Sequence, residues 1–342
     1  MDLSVKSCLF TNLFARGSHI FPILSGRYGV WLIMYGQQGI DHKKTAGTIW
    51  LVGGLILTNV FWGASGVAVK VAQLQLDTWE VIALRFLVAT PLLIAFSVAW
   101  KGWKVFAIAK KDIPYLVALS VIGIPLEFFL QVTALAHTSA TDYTLIYNLS
   151  TIFIVFLSFI LIGEKLTKNK IVGSAIAFIG AALVMTNGSL SFSANISGDV
   201  IALIGTVVWA LYTVIGKPLN EKYSALTVLN YIFLFGTLEM LPFYILGPHA
   251  SPFELAGETW LSMGFLTICC TLVAFLIYNY GLEKLPASTI GVFMYVGPIS
   301  GVLLAVLILN ESLTMYTALG LVLILFGIYR AERKGISAST QE

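Results

Sequence analysis

Apolar residues along this chain come in long, nearly unbroken runs separated by short polar stretches, without the mixed periodicity of a surface helix or a half-buried strand. Ten such runs can be marked, at about 48–68, 78–99, 113–135, 141–162, 169–187, 198–216, 225–246, 260–281, 287–309 and 314–330. Crossing a bilayer core of about 30 Å takes roughly 20 apolar residues, which most of these runs supply. Hydrocarbon offers no hydrogen-bond partner to a backbone, so a spanning segment must pair its own N–H and C=O groups and runs of this length become helices. The pattern predicts an all-α polytopic membrane protein with ten transmembrane helices.

The runs also repeat. Trp62 and Lys70 recur as Trp209 and Lys217, Ala140-Thr141 as Ala287-Ser288, and Gly163-Glu164-Lys165-Leu166-Thr167 as Asn310-Glu311-Ser312-Leu313-Thr314, each 147 positions on. About five helices separate equivalent points, so the second copy enters the bilayer from the opposite face. An inverted repeat of this kind builds secondary transporters. The expected organisation is an N-terminal cytoplasmic tail (1–47), a five-helix repeat (48–187), an external linker (188–197), a second five-helix repeat (198–330) and a cytoplasmic C-terminal tail (331–342). The tail before the first span is interrupted by Arg27, Pro22 and several glycines and lacks a cleavage site of signal-peptide type. It reads as a reentrant or surface-lying piece, or as the product of an early start codon ahead of Met34.

Composition agrees with the pattern. The chain is 58% hydrophobic and only 11% charged, against about 25% charged in soluble domains, and nothing is left over for a soluble catalytic domain. Lys and Arg gather before the first run and after the second, fourth, sixth, eighth and tenth, with Lys70 alone at the other face. Basic loops stay cytoplasmic, so both termini are expected inside a cell membrane. The net charge of +3 is dispersed and carries no nucleic-acid footprint. Cys8 and the neighbours Cys269 and Cys270 make no disulfide framework. No zinc helix, nucleophile elbow or phosphate-cradling loop is present, so no catalytic residue, metal or cofactor is expected. An intramembrane enzyme or a scaffold is the weaker alternative.

In transporters built this way the site lies near the midplane between the repeats, which directs attention to polar and aromatic residues at helical spacing. Asn59 and Trp62, with Gly63 and Gly66, share one face of the first run, and Trp209 lies on its counterpart. Tyr147 and Asn148, with Thr144 and Thr151, lie on the fourth run, with Gly291, Met294, Tyr295 and Pro298 on its counterpart; Gln131 and Tyr278 come from the third and eighth. Asn59, Trp62, Gln131, Tyr147, Asn148, Trp209, Tyr278 and Tyr295 are the candidate substrate-binding residues, although Trp62 and Trp209 fit core filling or interface anchoring equally. Ionisable residues inside spans are a sharper signal, because they cost at least about 2.5–3.5 kcal/mol there. Arg85 and Glu127 lie at similar depth on adjacent antiparallel runs, which predicts an intramembrane ion pair: a latch, a receiver for a substrate carboxylate, or a static pair, with Arg85 snorkelling to the outer interface as the alternative. Glu239 is a candidate for proton coupling. Glu164 and Glu311, beside short loops, are expected to cap a following helix or pair with basic neighbours.

The run Phe61-Trp62-Gly63 through Val69-Lys70, then Leu84-Arg85-Phe86 and Gly163-Glu164-Lys165-Leu166-Thr167, resembles the first EamA domain of the drug/metabolite transporter superfamily. Gly198-Asp199, Trp209-Ala210-Leu211-Tyr212, Pro286-Ala287-Ser288, Pro298 and Glu311-Ser312-Leu313-Thr314 resemble the second, so the likeness covers about 48–330. The resemblance implies ten helices, cytoplasmic termini and export of amino acids or other small metabolites by alternating access. Cationic-drug efflux, uptake of a vitamin or cofactor precursor, and flipping of a lipid-linked carrier are the alternatives within transport. The partners expected are a small-molecule substrate and the lipid bilayer, with the chain a monomer or homodimer. One departure stands out: Pro298 precedes Glu311 by thirteen residues, as in the family, but Thr151 holds the matching place before Glu164. Lacking the proline that would bend it, the fourth helix is expected to be straighter than the ninth.

Overall fold

The computed structural model describes residues 42–186, 196–247, 250–300 and 314–332, and every described element is helical or a connecting turn. The chain divides into a short unit, 1–50, and a large one, 51–342; the fold below is that of the large unit, with the segment 1–41 outside the described residues.

Helix α1 is His42–Ala72 and α2 Thr78–Lys101. Helix α3 covers 113–137 in three consecutive pieces: Ile113–Val121, a π-helical stretch Ile122–Leu126, and Glu127–His137. Helix α4 is Ala140–Tyr147 followed after a turn by Ser150–Ile162, and α5 is Lys168–Thr186. Then come α6, Ile196–Lys222, and α7, Ala225–Leu246. Helix α8 covers 257–284 with a π-helical stretch Leu266–Val273 at its centre. Helix α9 begins as Ala287–Phe293 and is described to Ser300; α10 is Met315–Glu332. Among the described residues eight helices, α1 to α8, are long and apolar enough to cross a membrane, and α9 and α10 are shorter apolar helices. The linker expected at 188–197 and Glu311 fall largely or wholly outside the described residues.

Short polar joints set the helix ends. Asp77 caps α2 by accepting from the Glu80 amide at 2.8 Å while the Glu80 carboxylate accepts from the Asp77 amide at 3.0 Å, a reciprocal box that satisfies two otherwise orphaned donors. Ser139 and Ser224 cap α4 and α7 in the same sense. Gly163 closes α4 at φ +68°, a left-handed position that suits glycine, and turns the chain so that the Glu164 amide bonds Ser158 O at 3.1 Å.

Contacts recur at the offset of 147. Lys70 Nζ donates to Leu135 O at 2.7 Å and Thr138 O at 2.9 Å, and Lys217 Nζ to Leu282 O at 2.7 Å, so each lysine serves bare carbonyls at the end of a neighbouring helix. Gly173 packs on Gly327 and Gly180 on Gly320, bringing the backbones of α5 and α10 together along their length. Four pairs of identical residues, each with 147 positions between its members, face one another. Trp62 and Trp209 lie 5.2 Å apart between ring centroids, Phe86 and Phe233 5.2 Å, and Phe128 and Phe275 5.9 Å. The Thr90 and Thr237 hydroxyls meet at 2.8 Å.

The fourth helix is interrupted even without the proline. It turns at Asn148–Leu149, where Leu149 N bonds Ile146 O and Ile152 N bonds Leu149 O in three-residue steps, just as α9 tightens at Met294–Tyr295. Proline is not needed because side chains do the work. Asn148 Nδ2 donates to Thr144 O at 2.7 Å, and Thr151 Oγ1 reaches across to Gly291 O on α9 at 2.8 Å.

Candidate functional site

Helices α1, α2, α3, α4, α6, α8 and α9 line a narrow cavity with about 60 Å³ of free interior volume. Helix α1 contributes Asn59, Trp62, Gly63, Ser65 and Gly66, and α2 contributes Arg85. Helix α3 adds Glu127, Phe128 and Gln131, and α4 adds Tyr143, Thr144, Tyr147 and Asn148. Trp209, Phe275, Met294, Gly297 and Pro298 close the wall.

The floor is aromatic. Trp62 meets Trp209 edge to face and Tyr278 at 5.2 Å, and Tyr147 tilts over Trp209 at 6.2 Å. The Trp62 ring is oriented by Nε1, which donates to Cys270 O at 2.9 Å. That carbonyl lies in the π-helical stretch Leu266–Val273, a widened turn of the kind found at functional sites. The same stretch fixes Arg85. Thr271 Oγ1 donates to Leu266 O five residues back and accepts from Arg85 Nε at 3.0 Å, and the guanidinium lies 4.6 Å from the Phe128 ring centroid, within cation–π reach. Arg85 Nη1 is buried with no hydrogen-bond partner.

Eight of the eleven residues singled out from sequence line this cavity: Asn59, Trp62, Arg85, Glu127, Gln131, Tyr147, Asn148 and Trp209. Asn59 and Asn148 each hold a carbonyl one turn back, at Leu55 and Thr144, both at 2.7 Å, and Gln131 Nε2 donates to Tyr143 OH at 3.2 Å. Three lie elsewhere. Tyr278 sits behind the two tryptophans with its hydroxyl on Thr213 Oγ1 at 2.7 Å. Tyr295 packs with Ala177, Ala181 and Ile324, on the side of α5 and α10. Glu239 is half-buried on α7 and accepts from Ser120 Oγ at 2.7 Å, its other oxygen buried without a partner.

The expected ion pair takes a different form. Arg85 and Glu127 are both almost wholly buried and both line the cavity, but no direct ion pair joins them; the arginine is held by Thr271 and Phe128 instead. Equal depth on adjacent helices was a sound inference from spacing, but it left the lateral direction of each side chain open. Glu164 also departs from expectation in its partner. Its carboxylate caps α9 rather than the next helix, accepting from Ala287 N at 2.6 Å, Ser288 N at 3.2 Å and Ser288 Oγ, while the buried Lys170 Nζ donates to that same Ser288 Oγ. Phe128, Tyr143, Phe275 and Ser65 were not singled out, though the offset of 147 between the two phenylalanines was there to be read.

Membrane-length helices gathered round one polar and aromatic cavity are the framework of a multi-pass membrane protein that handles a small molecule. The family model of the EamA-like transporter family matches residues 48–186 and again 196–331, and the chain belongs to that family. It is therefore a membrane transporter and not an enzyme. Two proteins of Archaeoglobus fulgidus, both named uncharacterized transporter, are 30% and 32% identical to it, covering 82% and 83% of this chain and 96% and 99% of their own lengths. A protein of Streptantibioticus cattleyicolor named probable terminal-alkyne amino-acid exporter is 25% identical over 78% of this chain and 87% of its own. A solved structure titled only as a crystal structure of a protein superposes with a TM-score of 0.68 at 19% identity, covering 85% of this chain and 99% of that one, and so shares the fold.

Proposed function

We propose that this chain is a secondary transporter that exports amino acids or related zwitterionic metabolites by alternating access. The observation that carries the reading is that Arg85 and Glu127 share one cavity with no direct ion pair between them, and that Arg85 keeps a buried donor unspent. A buried charge left uncompensated is costly. A molecule with a carboxylate at one end and an ammonium at the other compensates both groups at once, with Trp62, Trp209 and Tyr147 offering aromatic faces to the rest. Glu127 standing apart from Arg85 also suits a cationic substrate. The guanidinium in the same cavity would repel one, which favours the zwitterion. The exporter named among the relatives agrees with both substrate and direction.

The contact pattern supports the architecture proposed from sequence: five-helix repeats at 48–187 and 198–330, ten helices in all, with an external linker and both termini cytoplasmic. A residue faces its own equivalent only on a two-fold axis, and Trp62–Trp209, Phe86–Phe233, Thr90–Thr237 and Phe128–Phe275 would lie along one. A two-fold axis in the membrane plane inverts one repeat against the other. Glu239, away from the cavity, is the proton-coupling candidate. In Glu239→Gln, transport should persist while its pH dependence disappears; unchanged pH dependence would remove it.

The deciding experiment is counterflow in proteoliposomes. Unlabelled neutral amino acids should exchange with a labelled one, whereas their N-acetyl derivatives, which lack the cation, and their amides, which lack the carboxylate, should not. Equal exchange by either derivative, or exchange by cationic dyes alone, sinks the zwitterion reading. Growth protection of overexpressing cells against toxic amino-acid analogues then fixes the direction, since an importer would sensitise them.

A further inference from the structure

On the outside of the bundle α2 and α7 leave a groove of about 510 Å³ whose walls are almost wholly apolar, among them Pro91, Ala95, Val98, Leu234 and Leu238, with the Thr90–Thr237 hydrogen bond at its base. The hydroxyls are spent on each other and, for Thr237, on Phe233 O at 2.6 Å, so the groove offers a ligand no polar partner along its length. Its end is different. Val98 and Trp103 line the groove there, and Lys101 lies between them in the chain, with Lys104, Lys110 and Lys111 just beyond. All four lysines are exposed, and none takes part in an ion pair among the described residues. Trp100 and Trp103 are exposed beside them, the placement tryptophan favours at headgroup depth.

An apolar channel ending in unpaired cations flanked by tryptophan matches an amphiphile with a negative head. We propose that the α2/α7 groove binds an anionic phospholipid, with one acyl chain along Pro91, Ala95 and Leu238 and the phosphate on Lys101 and Lys104. Basic clusters beside a membrane helix attract anionic headgroups in this way, and the groove adds a defined seat for the chain that a bare cluster lacks. Because the groove straddles Thr90 and Thr237, a lipid lying in it touches both α2 and α7. Any relative movement of those helices changes its seat, and occupancy then favours one arrangement over the other.

Native mass spectrometry of the purified full-length protein, with phosphatidylglycerol and phosphatidylcholine of identical chains added in equal amounts, tests this. The wild type should retain phosphatidylglycerol preferentially. Each lysine removed should lower its affinity by about fivefold, so Lys101→Ala with Lys104→Ala should abolish the preference while phosphatidylcholine binding is unchanged. Ala95→Trp, at an exposed position that leaves the core untouched, should instead weaken retention of both lipids. Equal retention of the two lipids by the wild type, a preference that survives the double alanine variant, or a groove-filled protein that holds as much lipid as before would each overturn the proposal.

Discussion

The two halves of the molecule carry the same scaffold and opposite chemistry. Around the cavity the first half presents Arg85, Glu127, Gln131 and Tyr143; the positions 147 further on hold Ile232, Ala274, Tyr278 and Ile290, every one of them at most 1% exposed. One set is polar and faces open space, while the other is apolar or aromatic and packed shut. The residues that hold the halves together are instead matched: tryptophan on tryptophan, phenylalanine on phenylalanine, threonine on threonine, and a lysine at each of two helix ends. Duplication therefore supplied the framework, and divergence at a few buried positions confined the fixed charges to one side of it. The cavity therefore carries its ionisable groups on one side and is closed on the other by a tight polar seam. In that seam Tyr278 bonds Thr213, and Asn220 Nδ2 reaches Asn279 Oδ1 at 3.2 Å.

The largest expected effect comes from forcing the halves to match. Ile232→Arg places a guanidinium where the side chain is wholly buried, and an uncompensated buried charge costs about 3–5 kcal/mol. Folded protein should fall sharply, as seen by size-exclusion chromatography after membrane extraction; normal yield and stability would mean that the packed half has room for charge after all. Next in size is the reverse change, Arg85→Ala. It removes the cavity's donor, and a hydrogen bond to a charged group is worth about 1.5–3 kcal/mol, so counterflow should weaken by about 10- to 150-fold at near-normal expression. Arg85→Lys should recover only part of this, because Thr271 and Phe128 fit a planar guanidinium.

The polar side of the cavity is legible in the sequence, and what is not legible has local physical causes. Eight cavity-lining residues stand out because helical spacing tells which side chains share a face, and because intramembrane charge is rare enough to notice. Tyr278 lies off the cavity wall and follows the π-helical stretch Leu266–Val273. An extra residue in a turn rotates everything beyond it by about 100°, so regular helical spacing does not give the direction of this side chain. Tyr295 lies at the tightened turn Met294–Tyr295 and packs toward α5 and α10. Thr271, the partner of Arg85, is 186 residues away in the chain, and nothing local to Arg85 announces it. Membrane spans are the easiest to read, since a bilayer sets their length.

Where the halves are alike, matched substitutions should have matched effects. A Cβ added at Gly180 would sit 2.7 Å from Gly320 O, and one at Gly327 2.6 Å from Gly173 O. Backbone stands in the way in both cases, so Gly180→Val and Gly327→Val should each destabilise by about 1–3 kcal/mol through overpacking. Thermal unfolding in detergent should show equal shifts for the two. A large shift in one alone would mean that α5 and α10 do not pack reciprocally.

The smallest effect is the most discriminating. Lys70 and Lys217 do the same job at a helix end, but Lys217 also pairs with Glu221 at 2.8 Å, and that glutamate is largely exposed. A solvent-exposed partner adds little, from nothing to about 1 kcal/mol. Methionine keeps most of the stem and removes the ammonium, so Lys70→Met and Lys217→Met should lose the charge-assisted bonds to their carbonyls and destabilise by about 1.5–3 kcal/mol where the carbonyls stay dry, and less where water replaces the amine. Lys70 serves two carbonyls and Lys217 one, which predicts the larger loss for Lys70→Met. If Lys217→Met proves the worse of the two, the Glu221 pair carries more than an exposed ion pair should, and that end of the packed half is held by electrostatics rather than by burial.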